Sequence, residues 1–141
     1  MEKDQNPGIQ LNNINLVDCC LSGLNLENDL QFNLGIESFQ RQKLDDKHLA
    51  VRIAFDLMQE IENPPYKLTC SFVAFYERTD ESPMTWKEFE DAMVIAHILP
   101  YVREFVSGVT LRLPLPPLML PPTNAFALHK RYKERELKKE I

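Results

Sequence analysis

Five prolines fall within nine residues, at Pro114, Pro116, Pro117, Pro121 and Pro122, with only Leu115, Leu118, Met119 and Leu120 between them. Proline fixes φ and has no backbone N–H, which bars this stretch from a helix interior or a central strand. The segment is expected to run as an extended, polyproline-like ribbon. Such a ribbon loses little entropy when an apolar surface docks beside it. It can therefore cover a groove or fill one, and its place between two helical stretches makes it a candidate functional element.

Before the ribbon the pattern is mostly period two. Ile9 and Leu11 alternate, and an extra residue at Asn12-Asn13 resets the phase to Ile14 and Leu16, which predicts a bulge in a first strand. Leu30, Phe32, Leu34 and Ile36 predict a second strand near 29–43. Leu49, Val51, Ile53, Phe55 and Leu57 predict a third, after a charged turn at Lys43 to Lys47. Asn63-Pro64-Pro65 ends that strand, and a fourth carries Tyr66, Leu68, Cys70, Phe72, Ala74 and Tyr76 on one face. Its other face holds Val73 and Phe75, so a second surface is partly apolar and implies a partner.

From Ser82 the period changes. Thr85 with Glu88 three residues on predicts a capping box. Phe89, Met93 and Ala96 (or Ala92, Ile95 and Leu99) then recur at helical spacing. Pro100 is expected to kink or break this helix near Ala96–Leu99, with helix resuming through Tyr101, Phe105 and Val109 and weakening at Gly108. A second helix is expected from about Thr123 to Leu137, capped by Thr123 or Asn124. The predicted fold class is α+β in a single domain over residues 1–141: a four-stranded antiparallel sheet, a long helix, a proline-rich crossover and a second helix.

Chemistry finds little support. His48, His97 and His129 are scattered, with no serine or cysteine at nucleophile-elbow spacing. Glu88, Glu90 and Asp91 suit the first turn of a helix, and no glycine-rich phosphate loop exists. We therefore expect no enzyme activity, no cofactor and no metal site. Cys19, Cys20 and Cys70 show no metal-ligand spacing and are expected to be reduced, which favours the cytoplasm. The polar, charged opening Met1 to Pro7 is not a secretory signal, and the proline interruptions argue against membrane insertion.

Charge bears on partners. The 16 lysines and arginines face 21 carboxylates, a formal net charge of −5. Residues from His129 onward carry six cations against three carboxylates, so the rest of the chain is more acidic still. An acidic body argues against nucleic-acid binding.

Leu99-Pro100-Tyr101-Val102-Arg103-Glu104, then the ribbon, then Pro122-Thr123-Asn124-Ala125-Phe126-Ala127-Leu128 resembles the SecB export-chaperone family. Ile9 to Ile14 followed by Asp18 is similar to that family's first strand, and Leu68-Thr69-Cys70 to part of its final strand. The resemblance implies a homotetramer, a dimer of dimers, that holds unfolded or precursor polypeptides in apolar grooves without ATP or metal. It also implies hand-over to the translocase motor SecA, or guarding of a dedicated client such as an antitoxin. By position it nominates Leu68, Cys70, Phe72, Leu115, Leu118, Met119, Leu120 and Phe126 for client binding. Asp18 is nominated for motor docking, although positions aligned with other docking carboxylates read Ser22 and Ser71. The alternative is a structural or adaptor protein whose apolar faces serve homo-oligomerisation.

Overall fold

A computed structural model describes residues 8–139; Met1 to Pro7, read above as polar, and the last two residues lie outside that range. Four strands, β1 (Ile9–Ser22), β2 (Gly35–Lys43), β3 (His48–Asp56) and β4 (Lys67–Arg78), form one antiparallel sheet in the order β1-β4-β3-β2. Two helices follow, α1 (Asp91–Thr110) and α2 (Ala125–Lys139). The expected α+β architecture is present. The period-two residues of β3 and β4 do form the core: Val51, Ile53, Phe55, Leu68, Cys70, Phe72 and Ala74 are buried. They lie under Val94, Ile95, Ile98, Val102 and Val106 of α1.

The bulge expected at Asn12 is present, since Leu11 pairs with Tyr76 and Asn13 with Phe75. A second irregularity at Val17, between Leu16 and Asp18, was not foreseen. β2 begins later than expected. Residues 29–34 do not join the sheet: Asn33 alone makes an isolated parallel bridge with Met58, its N–H donating to the Leu57 carbonyl and its side-chain amide to the Gln59 carbonyl. Pairing starts at Gly35, where a Cβ would overlap the buried Gln59 side chain.

The Thr85–Glu88 capping box forms, with Glu88 Oε1 accepting from Thr85 N–H and Thr85 Oγ1 accepting from Glu88 N–H. It closes only an isolated turn, however, and α1 starts later, at Asp91. Pro100 does not break α1, which runs 20 residues without interruption. The carbonyl that proline leaves unpaired is that of Ala96, and both residues face outward, where water can take the place of the lost donor. By length and composition the uninterrupted helix is apolar enough to cross a membrane. Here one stripe of it is the protein core, and Arg103 and Glu104 interrupt it. Asn124 caps α2 as expected, its Oδ1 accepting from Ala127 N–H.

Arg41 ties these layers together. From β2 its Nε donates to Asp91 Oδ1 at 2.6 Å, and its terminal nitrogens donate to the carbonyls of Trp86 and Phe89. One guanidinium thus closes the 85–90 turn and fixes the start of α1. R41A is expected to cost about 2–3 kcal/mol, since it strands a half-buried carboxylate and two carbonyls. R41K is expected to recover only part of this, because an ammonium lacks the fork. Urea unfolding measures both.

His97 and the buried Tyr76 share a hydrogen bond of 2.9 Å between Nδ1 and the phenol. Burial holds the His97 imidazole below its ordinary value. On acidification the unfolded chain therefore takes up this proton first, and the folded state loses stability as pH falls below about 6.5. H97Q is expected to flatten that loss, read as the urea midpoint across the mildly acidic range.

Candidate functional site

The sheet has two edges, and they are treated differently. At the start of β2, Arg131 donates to the Leu34 carbonyl at 3.0 Å and Arg135 to the Ile36 carbonyl at 3.2 Å, so α2 occupies backbone acceptors that another strand would use. The free edge of β1, 14 residues long, has no such cover among the described residues. Open edges of this length invite pairing with another chain.

The helix-facing side of β1 is covered only in part: Ile9, Leu11 and Ile14 pack against the core, and the stretch beyond them does not. Leu16 and Leu21 point to the same side as buried Phe72 and Leu68, their cross-strand partners, yet are 41% and 40% exposed. Between β1 and α1 lies an open groove of about 340 Å³. Ile14 and Leu16 form one wall, Tyr101, Phe105 and Val109 the other, and Phe72 lies at its floor. Phe72 and Phe105 meet edge to face with ring centroids 6.1 Å apart. Glu104 and Arg112 add a charge of each sign. The groove is thus an apolar trough bearing one acid and one base, without a converging set of polar groups of the kind that orients a small substrate.

The ribbon lies against the core in an alternating manner. Leu118 and Leu120 are buried, Leu115 is half-buried and Met119 is 68% exposed. Its anchor is Thr110, a fully buried hydroxyl that accepts from Leu118 N–H at 2.8 Å and donates to the Val106 carbonyl. Ser107 on α1 donates to the Met119 sulfur at 3.6 Å, which places Met119 beside the groove residue Gly108.

The sequence-predicted positions therefore divide. Leu68, Cys70, Leu118 and Leu120 are core residues of the chain. Burial pushes the Cys70 thiol up to about 12, with Cys19 directly across the strand adding to the shift, so Cys70 is an inert apolar side chain here. Phe72 is mostly buried but forms the groove floor. Met119 and Phe126 are exposed, though Phe126 flanks a separate depression with Ala92 and His129. Asp18 lies on the opposite sheet face across from Ser71 and is the only carboxylate of β1.

Sequence reasoning did not nominate Ile14, Leu16, Tyr101, Phe105 or Val109. The signal was present: α1 carries a second apolar row at Tyr101, Phe105 and Val109, spaced by four, beside its core stripe.

No family model matches the chain. An uncharacterized protein of Methanocaldococcus jannaschii, MJ0357, is 24% identical over 100 residues, 70% of this chain; the chain spans 64% of that relative's length. Among solved structures, the SecB-like chaperone Rv1957 of Mycobacterium tuberculosis, in complex with a ChAD peptide from the Rv1956 HigA1 antitoxin, superimposes with a TM-score of 0.59. It is 24% identical, and the match covers 82% of this chain and 90% of that one. A protein of unknown function from Streptococcus agalactiae aligns over 81% of this chain at 16% identity and a TM-score of 0.47, too loosely to bear on function. The sheet order, the uninterrupted α1, the anchored crossover and α2 together are the SecB-like fold.

Proposed function

We propose that this protein is an ATP-independent chaperone that holds a non-native polypeptide client along the trough between β1 and α1. The observation that carries the reading is that trough itself, apolar on both walls and open to solvent. Exposed apolar surface organised in this way marks a binding site for another chain. Aliphatic and aromatic walls accept varied side chains, and the neighbouring Met119 adds an adaptable one. The Mycobacterium tuberculosis structure with the same fold, solved with an antitoxin peptide bound, supports a polypeptide as the occupant and a dedicated client as its source. The client-binding set is then Phe72 and Met119 from the predicted positions, joined by Ile14, Leu16, Tyr101, Phe105 and Val109. Leu115 and Phe126 are secondary contacts.

The open edge of β1 supports self-association, and a homotetramer is the expected assembly. Delivery to SecA would run through Asp18 on the other sheet face. A structural or adaptor role is the second reading, favoured by that same edge: β1 pairing and the trough would then both be consumed between copies.

Leu16 and Tyr101 are exposed enough to change without unfolding the protomer. L16N/Y101S is expected to weaken suppression of aggregation of a denatured model protein, measured by light scattering without ATP. The loss expected is about tenfold in effective affinity, the equivalent of one apolar side chain left unburied. M119S is expected to cost less. If the double variant holds clients normally but dissociates on size-exclusion chromatography with light scattering, the trough is an interface between copies and the structural reading replaces the chaperone one.

A further inference from the structure

The sheet face turned away from the helices holds an arginine with no partner among the described residues. Arg52 is exposed at the centre of β3, an interior strand, and makes no hydrogen bond or ion pair among the described residues. Arg41, Arg78, Arg112, Arg131 and Arg135, by contrast, each donate to a carbonyl, and Arg103 on α1 is the other arginine without a partner among the described residues. The register explains the isolation. Val73 faces Arg52 across β4 and Gln40 across β2, and Ala50 and Ala54 precede and follow it on the same face. The diagonal positions are Phe75, Ser71, Gln42 and Ser38. No position in this ring is a carboxylate.

The other acids of the face lie outside this ring, and Glu37, at the β2 bulge, borders a separate depression with Asp56. Asp56 accepts from Met58 N–H, Glu77 accepts from the Asn12 amide, and Asp18 lies two strands away on β1. Around the guanidinium the surface dips into a shallow depression of about 660 Å³, shared by Phe75, Val73, Ala50 and the two glutamine amides. Arg41 also borders it, with its own guanidinium engaged by Asp91. Phe75 and Val73 are half-buried, so the depression offers an apolar floor next to an unpaired cationic fork.

We infer that this depression docks an extended polypeptide segment of a partner protein carrying an aspartate or glutamate side chain flanked by apolar residues. A guanidinium receives a carboxylate through two parallel N–H donors. The side chains on either side of that carboxylate would cover Phe75 and Val73 and exclude water from the pair. Gln40 and Gln42 supply neutral hydrogen-bonding groups at the rim, which neither compete for the acid nor repel it. The sign of the charge sets the class of partner: a basic segment would meet Arg52 with no carboxylate near enough to offset the repulsion. The site lies on the opposite side of the sheet from the trough, so it can be occupied while a client is held. It does not depend on the chaperone reading.

The test titrates the full chain, labelled with nitrogen-15, with an acetylated and amidated peptide of sequence Ser-Leu-Glu-Phe-Glu-Leu-Ser, and separately with the same peptide carrying lysine for both glutamates. The acidic peptide is expected to shift the Arg52 side-chain resonance and the amides of Val73 and Phe75, more weakly as salt is added. R52E is expected to weaken that peptide about tenfold or more and to improve the lysine peptide. R52K is expected to fall between, because the fork is lost and the charge kept. Equal binding of the two peptides, an unchanged affinity in R52E, or shifts confined to Ile14, Leu16 and Tyr101 overturns the inference. A change of oligomeric state in R52E also overturns it, by making the face a contact between copies.

Discussion

A single side chain, Arg41, sets the relation between the sheet and everything after it. The sheet is built from local alternation and can form its hydrogen bonds without the helices. What it cannot supply is the place where α1 begins. Arg41 supplies it by reaching out of β2 to three acceptors that belong to the 85–90 turn and the first residue of α1. His129 of α2 approaches the other oxygen of Asp91 at 3.5 Å, so both helices refer back to the same carboxylate. Phe89, held by this arrangement, closes the core over Tyr76 at 4.9 Å between ring centroids. A guanidinium suits this position because its donors are fixed in a plane and can satisfy several acceptors at once.

Once α1 is placed, the trough follows from a mismatch of widths. One row of α1 covers β3 and β4, and the ribbon, tied at Thr110, completes the cover with Leu118 and Leu120. The stretch of β1 from Leu16 to Leu21 is left beyond the reach of both. Its helix-facing residues are apolar because the sheet alternates, and α1 shows them a second apolar row that the core does not need. Two half-covered apolar surfaces facing each other leave area whose burial would be favourable. The arginines of α2 cover backbone acceptors at the start of β2, whereas β1 is left open. The protein therefore leaves an apolar trough open on one side of the sheet, and presents a face with Arg52 at its centre on the other.

Much of this architecture can be read from the chain. Period-two runs in β3 and β4 mark the core strands, the Asn12 bulge appears in the alternation, and the prolines announce a crossover that is neither helix nor strand. Each is a local property, decided by side-chain sterics or by which face a residue must take. The misreadings share a cause as well. Leu30 to Leu34 alternate like a strand, but Asn33 gives its hydrogen bonds to the 57–59 segment, and Gly35 meets Gln59 in a contact that no local rule contains. Pro100 reads as a helix break, but its missing donor concerns a carbonyl on the water side, where the loss costs little. Thr85 and Glu88 cap a turn, but Arg41 decides where the long helix starts.

The candidate site divides along the same line. The chain's own order of residues determined that two faces of β4 are apolar, that α1 is apolar on more than one side, and that leucine and methionine alternate along a rigid ribbon. Only the tertiary structure decided which of these residues remain available: Leu68, Cys70, Leu118 and Leu120 went to the core, while Leu16, Tyr101 and Met119 stayed at the surface. Sequence periodicity tells which side chains share a face. Exposure depends instead on whether another element is wide enough to cover that face, and this is settled by contacts between residues far apart in the chain.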